Sequence, residues 1–348
     1  MSDRRTGKRA KFKRESVKQC YESSLRSLFD SFYGAKMAEG RSERTLETYR
    51  ENFRFFCDFL TENDIELDIG KVTSDVIRSY ITWMLGTKRK WEGHAHKNEE
   101  DKTVGLSPVT VNTRLKPLRT LFNYLKENDL IETNAFERIP KVKEPETDIK
   151  ILSVEQLKKL LNTPDKRSYA GFRDFVIMNL LIDSFMRIGE VVSIKKTDID
   201  FESGILNLSS KLTKSRRSRI VPLQKSTLKL LKELIRECDD FGSNYVFLTN
   251  YGEPVTTNHI RQQLKKHARA AGLQIRIYPH LFRHTAATLF LENGGDMRHL
   301  QKILGHADMR TIIKYTHLSQ RSIINQHEQY SPLKQVIEPL NKSRKILR

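Results

Sequence analysis

The segment YPHLFRHTAATLF, residues 278–290, places two histidines and an arginine at the start of a predicted helix. His280 and Arg283 are three residues apart, so they share one helical face. An imidazole exchanges protons near neutral pH, and a guanidinium forms paired hydrogen bonds with phosphate oxygens. This pair therefore suits proton transfer or anion binding, while the apolar residues that follow bury the helix behind it.

Three other charged residues lie next to apolar segments, at positions where a hydrophobic core does not need them. Arg187 and Glu190, in SFMRIGEVVSI, share a face near a helix boundary. A surface ion pair is the alternative explanation for that spacing. Lys214 lies in the basic turn KLTKSRR between two predicted strands, where a solvated hairpin is the alternative.

His306 and Tyr315 are close to each other in sequence, near the end of the chain. His306 directly follows Gly305, where we expect a helix to end with a C-terminal glycine. Tyr315 follows nine residues after His306, in DMRTIIKYTHLS. An ordinary packed aromatic residue is the alternative interpretation of this tyrosine.

Together these residues suit chemistry at a phosphodiester. Two arginines, a histidine and a lysine can clamp phosphate oxygens, most usefully where negative charge grows in the transition state. A tyrosine can attack the phosphorus and form a covalent intermediate. Free tyrosine has a pKa of about 10, so it needs a base or cationic surroundings to react near neutrality.

A zinc site is the competing interpretation of the histidine pair. His280 and His284 are four residues apart, the spacing that zinc proteases use. The residue after His280 is Leu281 rather than the glutamate those enzymes need, and no third ligand has a compelling spacing. We therefore expect no metal, and we expect His284 to be packed or hydrogen-bonded.

Composition favours a nucleic-acid partner. The 348 residues carry a formal net charge of +19, with a pI near 9.7. Neutralising phosphates releases counterions and drives binding, so nucleic acid is the expected partner, and a merely soluble basic surface is the alternative. No apolar run is long enough for a bilayer, so no membrane association is expected. Three widely spaced cysteines predict neither a disulfide framework nor a metal knuckle, and favour a cytoplasmic setting.

The chain is predicted to form two domains of mainly α structure with a small antiparallel β-sheet, an α+β fold, with a C-shaped clamp as one option for their arrangement. The predicted segments are a basic N-terminal segment, a helical domain, a Pro-containing linker, a mixed domain and a tail, at residues 1–18, 19–140, 141–150, 151–330 and 331–348.

Local signals support this division. Thr73 or Ser74, Ser107, and the capping box of Ser153 with Gln156 each predict a helix start. GILNLSS, SRIVPL and NYVFLTN are predicted strands, and Ser226 is expected to open an amphipathic helix. The polar region at residues 87–105 is predicted to be a long exposed loop.

These motifs, in this order, resemble the tyrosine recombinases, also called the phage integrase family. HLFRH resembles the family's His-x-x-Arg box, and LGHADMRTIIKYTH resembles its Leu-Gly-His box followed by the nucleophile. MRIGEV resembles the first arginine box, and TKSRRSRIVPL resembles the hairpin with the family lysine. RSERTLETYRENFRFFCDFL and SPVTVNTRLKPLRTLFNYL resemble the helical core-binding domain, a SAM-like DNA-binding domain that here covers residues 19–140.

The resemblance implies a role for each candidate, with residues 151–330 as the catalytic domain. Tyr315 would be the nucleophile, forming a 3′-phosphotyrosyl link and freeing a 5′-hydroxyl. Arg187 and Arg283 would hold the scissile phosphate. Because the link stores the bond energy, no cofactor or metal is needed.

The remaining implied roles concern protons and orientation. Lys214 would protonate the leaving 5′-oxygen, and Lys211 is the weaker candidate for that role. His280 would assist proton transfer, and His306 would bond the phosphate. Glu190 would orient neighbouring catalytic groups.

The sequence departs from the family pattern at two places. The family usually has Thr-Gly before the residue that precedes Arg187, whereas this chain reads DSFMR. The loop after Trp83 is longer than in compact members, which is compatible with extra DNA contacts or with no role.

In the family, four protomers exchange strands between two duplexes through a Holliday junction, so a homotetramer on specific sites is expected. The tail SPLKQVIEPLNKSRKILR either docks on a neighbouring protomer or is a disordered basic segment. An integrase or transposase of a mobile element is the preferred role. A dimer-resolving recombinase, a type IB topoisomerase-like relaxase and a non-catalytic architectural DNA-binding protein are the alternatives.

Overall fold

The computed structural model describes residues 24–91, 102–145, 150–209, 218–305 and 327–333. The predictions for the basic N-terminal segment, most of the tail, Lys211, Lys214, His306 and Tyr315 lie outside these residues. The chain divides into two compact units, Met1–Thr147 and Asp148–Arg348.

The first unit is helical. Its helices are α1 (Leu25–Ala38), α2 (Glu43–Glu62), α3 (Ser74–Gly86) and α4 (Pro108–Glu127). The two candidate caps of α3 have different functions. The Thr73 hydroxyl accepts a hydrogen bond from the backbone N–H of Val76, whereas the Ser74 hydroxyl donates to the carbonyl of Ala135 at 2.9 Å. Ser107 caps α4 as predicted, directly before Pro108.

The core of this unit is aromatic. Helix α2 buries Phe53, Phe56 and Leu60. Phe53 stacks on Phe29 of α1 with ring centroids 3.9 Å apart. Stacked pairs of this kind contribute about 0.5–1.5 kcal/mol beyond the area that they bury.

The predicted exposed loop at residues 87–105 has paired ends. Lys90 donates its backbone N–H to the carbonyl of Thr103 at 2.9 Å, and Gly105 donates to Lys88 at 3.0 Å. The Lys88 ammonium lies 4.8 Å from the centre of the Trp83 ring. A short antiparallel stem therefore begins and ends this insertion, and residues 92–101 lie outside the described part of the chain.

The second unit mixes helices with a small sheet. Its helices are α5 (Val154–Leu161), α6 (Tyr169–Ser184), α7 (Ile188–Val192), α8 (Lys225–Glu237), α9 (Thr257–Ala270), α10 (Pro279–Glu292) and α11 (Met297–Leu304). The strands are β1 (Ile199–Asp200), β2 (Ile205–Leu208) and β3 (Arg219–Pro222). They form an antiparallel sheet in the order β1-β2-β3, with Leu208 opposite Arg219. The prediction of a mainly α fold with a small antiparallel sheet is confirmed.

Helix α6 lies at the centre of the second core. Its apolar residues Val176, Ile177, Leu180 and Leu181 are fully buried, and the helix packs against α8 and α10. The capping box of Ser153 with Gln156 is present at the start of α5. Among the described residues, no helix combines the length and the apolarity needed to cross a bilayer.

One predicted strand and one predicted helix start in this unit need correction, and one strand was not predicted. NYVFLTN is not a strand, because its residues form only isolated bridges, from Tyr245 to Lys195 and from Leu248 to Pro254. Its apolar side chains are buried instead within the helical core. Strand β1 was missed because two residues are too few to show alternation. Helix α8 begins at Lys225 rather than Ser226, with Gln224 as its N-cap.

A buried polar network joins α6 to α9. Arg173 donates from Nε and Nη2 to Asp174 Oδ1 at 3.1 and 2.8 Å, and His267 Nε2 lies 3.2 Å from Asp174 Oδ2. Arg173 also donates from Nη1 to the carbonyl of Leu248. All three side chains are nearly inaccessible to solvent.

We expect Asp174→Ala to lower the free energy of unfolding by about 3–5 kcal/mol, because it leaves the Arg173 charge buried without its anion. Urea denaturation measures this loss. The double variant Arg173→Met with Asp174→Leu is the control, since removing both charges avoids that penalty. Equal losses for the single and the double variant would contradict the charge explanation.

Candidate active site

Arg187 lies in a tight turn between α6 and α7. The turn depends on Phe185, which has a left-handed backbone with φ of 54°. This is the position where the family usually has glycine, and a bulky residue is rarely found in that conformation. The Phe185 ring packs edge-on against Phe290 with centroids 5.7 Å apart. The departure DSFMR therefore keeps a glycine-like turn, which the phenylalanine stabilises by packing.

Glu190 accepts two hydrogen bonds from Arg187, the residue directly before α7. The backbone N–H of Arg187 donates to Glu190 Oε2 at 3.0 Å, and Arg187 Nη1 donates to Oε1 at 3.1 Å. Glu190 is only 2% exposed, which excludes the surface ion pair as an explanation. The Arg187 side chain is partly accessible, so its guanidinium is oriented by a buried carboxylate and remains open to solvent.

A second arginine shares this carboxylate. Arg219, the first residue of β3, donates from Nη2 to Glu190 Oε2 at 2.6 Å and from Nη1 to Oε1 at 3.2 Å. Burial alone raises the pKa of Glu190, but hydrogen bonds from Arg219 and from the Arg187 backbone, with both positive charges, hold that pKa below its usual value of 4.5. Glu190 is therefore ionised at neutral pH.

Because the pKa of Glu190 is lowered, the free energy of unfolding should depend on pH in the acid range. A carboxyl whose pKa is lower in the folded state stabilises the fold above its unfolded pKa, and this contribution is lost as pH falls through the folded pKa. We expect the unfolding free energies of the wild type and of Glu190→Gln to converge as pH falls below 4.5. Urea denaturation along a pH series measures both. A constant difference over the whole acid range would contradict the prediction.

Arg283, the arginine of the HLFRH segment, belongs to α10, and its side chain is buried. Its Nη1 donates to the carbonyl of Phe185 at 2.6 Å, and its Nη2 donates to the carbonyl of Leu304 at 2.8 Å. The first bond reaches the turn that precedes Arg187. The second reaches the end of α11. Arg283 therefore ties the first arginine box to the segment that leads to His306.

His280 lies one helical turn before Arg283 and is exposed near the N-terminus of α10. Pro279 occupies the first turn, as is common at helix starts. The positive end of the helix dipole favours an anion there. His284 is half-buried, and its ring centre lies 6.5 Å from that of His280. In the described part of the chain, no group of three or more His, Cys, Asp and Glu could hold a metal ion.

The other candidates can be located only by their neighbours in the chain. Helix α11 ends at Gly305 with φ of 66°, which confirms the predicted glycine at this helix end. His306 follows it directly. Lys214 belongs to the connection between β2 and β3. The last paired residues of these strands, on either side of that connection, are Leu208 and Arg219.

The structure therefore brings together three of the seven candidates, Arg187, Glu190 and Arg283, around the end of α11. His280 lies on the same helix as Arg283. Arg219 belongs to this cluster, yet it was not among the candidates. A signal for it exists: in β3 the buried face includes Val221, and a charged residue two positions earlier shares that face, so it needs a buried partner.

The comparisons with known proteins cover both units. The model of the phage integrase family matches residues 150–321, and the model of the phage integrase SAM-like domain matches residues 24–143.

Individual relatives agree with the family models. Tyrosine recombinase XerD of Listeria innocua is 26% identical over 318 residues, covering 88% of this chain and 99% of the relative. Tyrosine recombinase XerC of Chlamydia trachomatis serovar D is 30% identical over 230 residues, covering 65% of this chain and 72% of the relative. The Tn1549 transposon integrase, solved in complex with a circular intermediate DNA, has a similar fold, with a TM-score of 0.68, 19% identity, and coverage of 88% of this chain and 99% of that one. The chain therefore belongs to the phage integrase family and is a tyrosine recombinase.

Proposed function

We propose that this recombinase cleaves and rejoins double-stranded DNA at specific sites through a 3′-phosphotyrosyl link at Tyr315. One observation carries the proposal. Arg187 and Arg283, which are far apart in sequence, are joined through the turn at Phe185 in a cluster organised by the buried Glu190. Guanidinium groups fixed in this way are suited to the two non-bridging oxygens of one phosphate.

The electrostatics of the cluster support this role. Two guanidinium groups, from Arg187 and Arg219, bind the single carboxylate of Glu190, and a third, from Arg283, binds the backbone carbonyls of Phe185 and Leu304. The described cluster therefore has excess positive charge. Preorganised positive charge stabilises the negative charge that grows on phosphate oxygens in the transition state.

The steps of the reaction follow from these roles. The Tyr315 phenol oxygen attacks the phosphorus, while Arg187, Arg283 and His306 bind the non-bridging oxygens. The bond to the 5′-oxygen breaks, and Lys214 donates a proton to that leaving oxygen. The phenol loses its proton as it attacks, and His280 assists the transfer of that proton. In the reverse step a 5′-hydroxyl attacks the phosphotyrosine, so the stored bond energy is returned without a nucleotide.

The proposed assembly is a homotetramer on two DNA duplexes in the cytoplasm. The net charge of +19 supports DNA binding, since it provides many phosphate contacts. The fold of a transposon integrase bound to DNA is compatible with the same partner. For the biological role we favour integration or transposition of a mobile element. The relatives are named tyrosine recombinases with no mobile element in their names, so a dimer-resolving recombinase is the second candidate.

The test begins with the target site, which is identified by sequencing the DNA that the protein binds or joins. A duplex of that site is then nicked beside the cleavage position, so that the cleaved fragment diffuses away and rejoining stops. We expect a protein–DNA adduct that survives denaturant, and recombinant products when two intact sites are supplied. An architectural protein would give neither. Relaxation of any supercoiled plasmid by a monomer, without recombinants, would support the topoisomerase-like alternative instead.

A further inference from the structure

Arg219 has more contacts than an ordinary ion pair requires. Its side chain is 7% exposed, and three of its nitrogens donate to described acceptors. Nη1 and Nη2 bind the two oxygens of Glu190, and Nε donates to the carbonyl of Ile303 at 2.9 Å. The planar guanidinium fork fixes the angle between these partners, which a lysine could not do.

The Glu190 carboxylate transmits this constraint to Arg187. Each carboxylate oxygen accepts one hydrogen bond from Arg219 and one from Arg187. With four donors converging on it, the carboxylate has little freedom to rotate. If Arg219 is removed, the carboxylate keeps only the two hydrogen bonds from Arg187, so it gains freedom to rotate and holds the Arg187 guanidinium less firmly.

The third contact fixes the end of α11. Arg219 binds the carbonyl of Ile303, while Arg283 binds the carbonyl of the next residue, Leu304. Gly305 follows in close contact with Arg219, because an added Cβ would lie 3.0 Å from Arg219 Cδ and 3.2 Å from its Nη1, so a side chain there would displace this arginine. Two arginines therefore hold consecutive carbonyls immediately before His306.

The position of Arg219 in the sheet adds a further connection. It pairs with Leu208 at the end of the β2–β3 ladder. The chain between these two residues contains Lys214. One side chain is thus attached to the base of the lysine hairpin, to the Arg187–Glu190 pair and to the helix end before His306.

We propose that Arg219 is a positioning residue for strand cleavage: it acts through Glu190 on Arg187, and through Ile303 on the segment of His306, without touching the scissile phosphate. This inference rests on the proposed function. Misplacing a catalytic group by about 1 Å can cost about a hundredfold in rate. The effect of losing Arg219 should therefore fall on the chemical step rather than on DNA affinity.

The experiment compares Arg219→Met and Arg219→Lys with the wild type on the nicked duplex, in single turnover and at equal folded fraction. Arg236→Met is the matched control, because that arginine is exposed on α8. We expect cleavage to slow about a hundredfold in the Met variant, with DNA affinity close to that of the wild type. Arg219→Lys retains the charge but loses the fork, so it should fold well and still cleave slowly.

A second substrate separates positioning from a general loss of structure. A methylphosphonate at the scissile position replaces one charged oxygen with a methyl group, so cleavage depends less on the arginines. Because Arg219 acts largely through Arg187, the rate loss of its variants relative to the wild type should be several-fold smaller on this DNA than on phosphate DNA. Arg187→Ala should show the same pattern. Equal losses on both substrates, or wild-type cleavage by both variants, would overturn the proposal. Failure of the wild type to form any adduct would instead reject the proposed function.

Discussion

Replacement of Tyr315 by phenylalanine is expected to abolish the covalent protein–DNA adduct and leave DNA affinity unchanged. The change removes only the phenol oxygen, which in the proposed mechanism is the atom that bonds to phosphorus. The aromatic ring stays, so the change is conservative in size and in apolar surface. Denaturing electrophoresis of labelled nicked duplex measures the adduct, and fluorescence anisotropy measures binding.

Tyr278→Phe and Tyr330→Phe are the matched controls, because both tyrosines are exposed in the same unit. Neither change should affect adduct formation. An adduct of wild-type yield from Tyr315→Phe would show that another residue attacks the phosphate, and the nucleophile would have to be sought elsewhere in the chain.

Arg283→Ala is expected to slow cleavage by at least about 10²–10³, the loss seen when one preorganised donor to a transition-state anion is removed. The structure adds a second cost. The carbonyls of Phe185 and Leu304 lose their buried donors, which costs about 1–3 kcal/mol of stability each if they stay unpaired. Single-turnover cleavage and thermal melting measure the two effects separately.

Arg283→Lys distinguishes these effects, since it retains positive charge but cannot bind both carbonyls in a fork. We expect it to melt closer to the wild type than Arg283→Ala and still to cleave slowly. Arg269→Ala, at an exposed position of α9, is the control for loss of a surface charge. Normal cleavage by folded Arg283→Ala would remove this arginine from the phosphate site.

Much of the helical framework was predictable because its signals are local. Ser107 before Pro108, and Ser153 with Gln156, cap helices in the structure as their types and spacing indicate. Gly305 ends α11 for the same reason, since a left-handed backbone favours glycine. In each case a few neighbouring residues determine the hydrogen bonds.

The failures have non-local causes. NYVFLTN has the composition of a strand, but among the described residues it forms only isolated bridges, and tertiary packing buries its apolar side chains instead. Phe185 adopts a glycine-like conformation that its residue type disfavours, and the ring of Phe290, distant in sequence, stabilises it. Neither the residues that pack around NYVFLTN nor the Phe290 ring that packs on Phe185 could be identified from the local sequence.

The candidate site shows the same limit. Residue types and spacing pointed to Arg187, Glu190 and Arg283, and the structure joins them. Arg219 was missed because its partners, Glu190 and Ile303, come from two other elements. A charged residue on the buried face of β3 signals that a partner must exist, but only the fold identifies it.

The most direct test of the central claim is chemical identification of the link between protein and DNA. The adduct formed on nicked duplex is digested with protease and nuclease, and the modified peptide is sequenced by mass spectrometry. We predict a phosphodiester between the Tyr315 phenol oxygen and a DNA 3′ end, with a free 5′-hydroxyl on the released strand. A link at another residue, or one to a DNA 5′ end, would contradict the account.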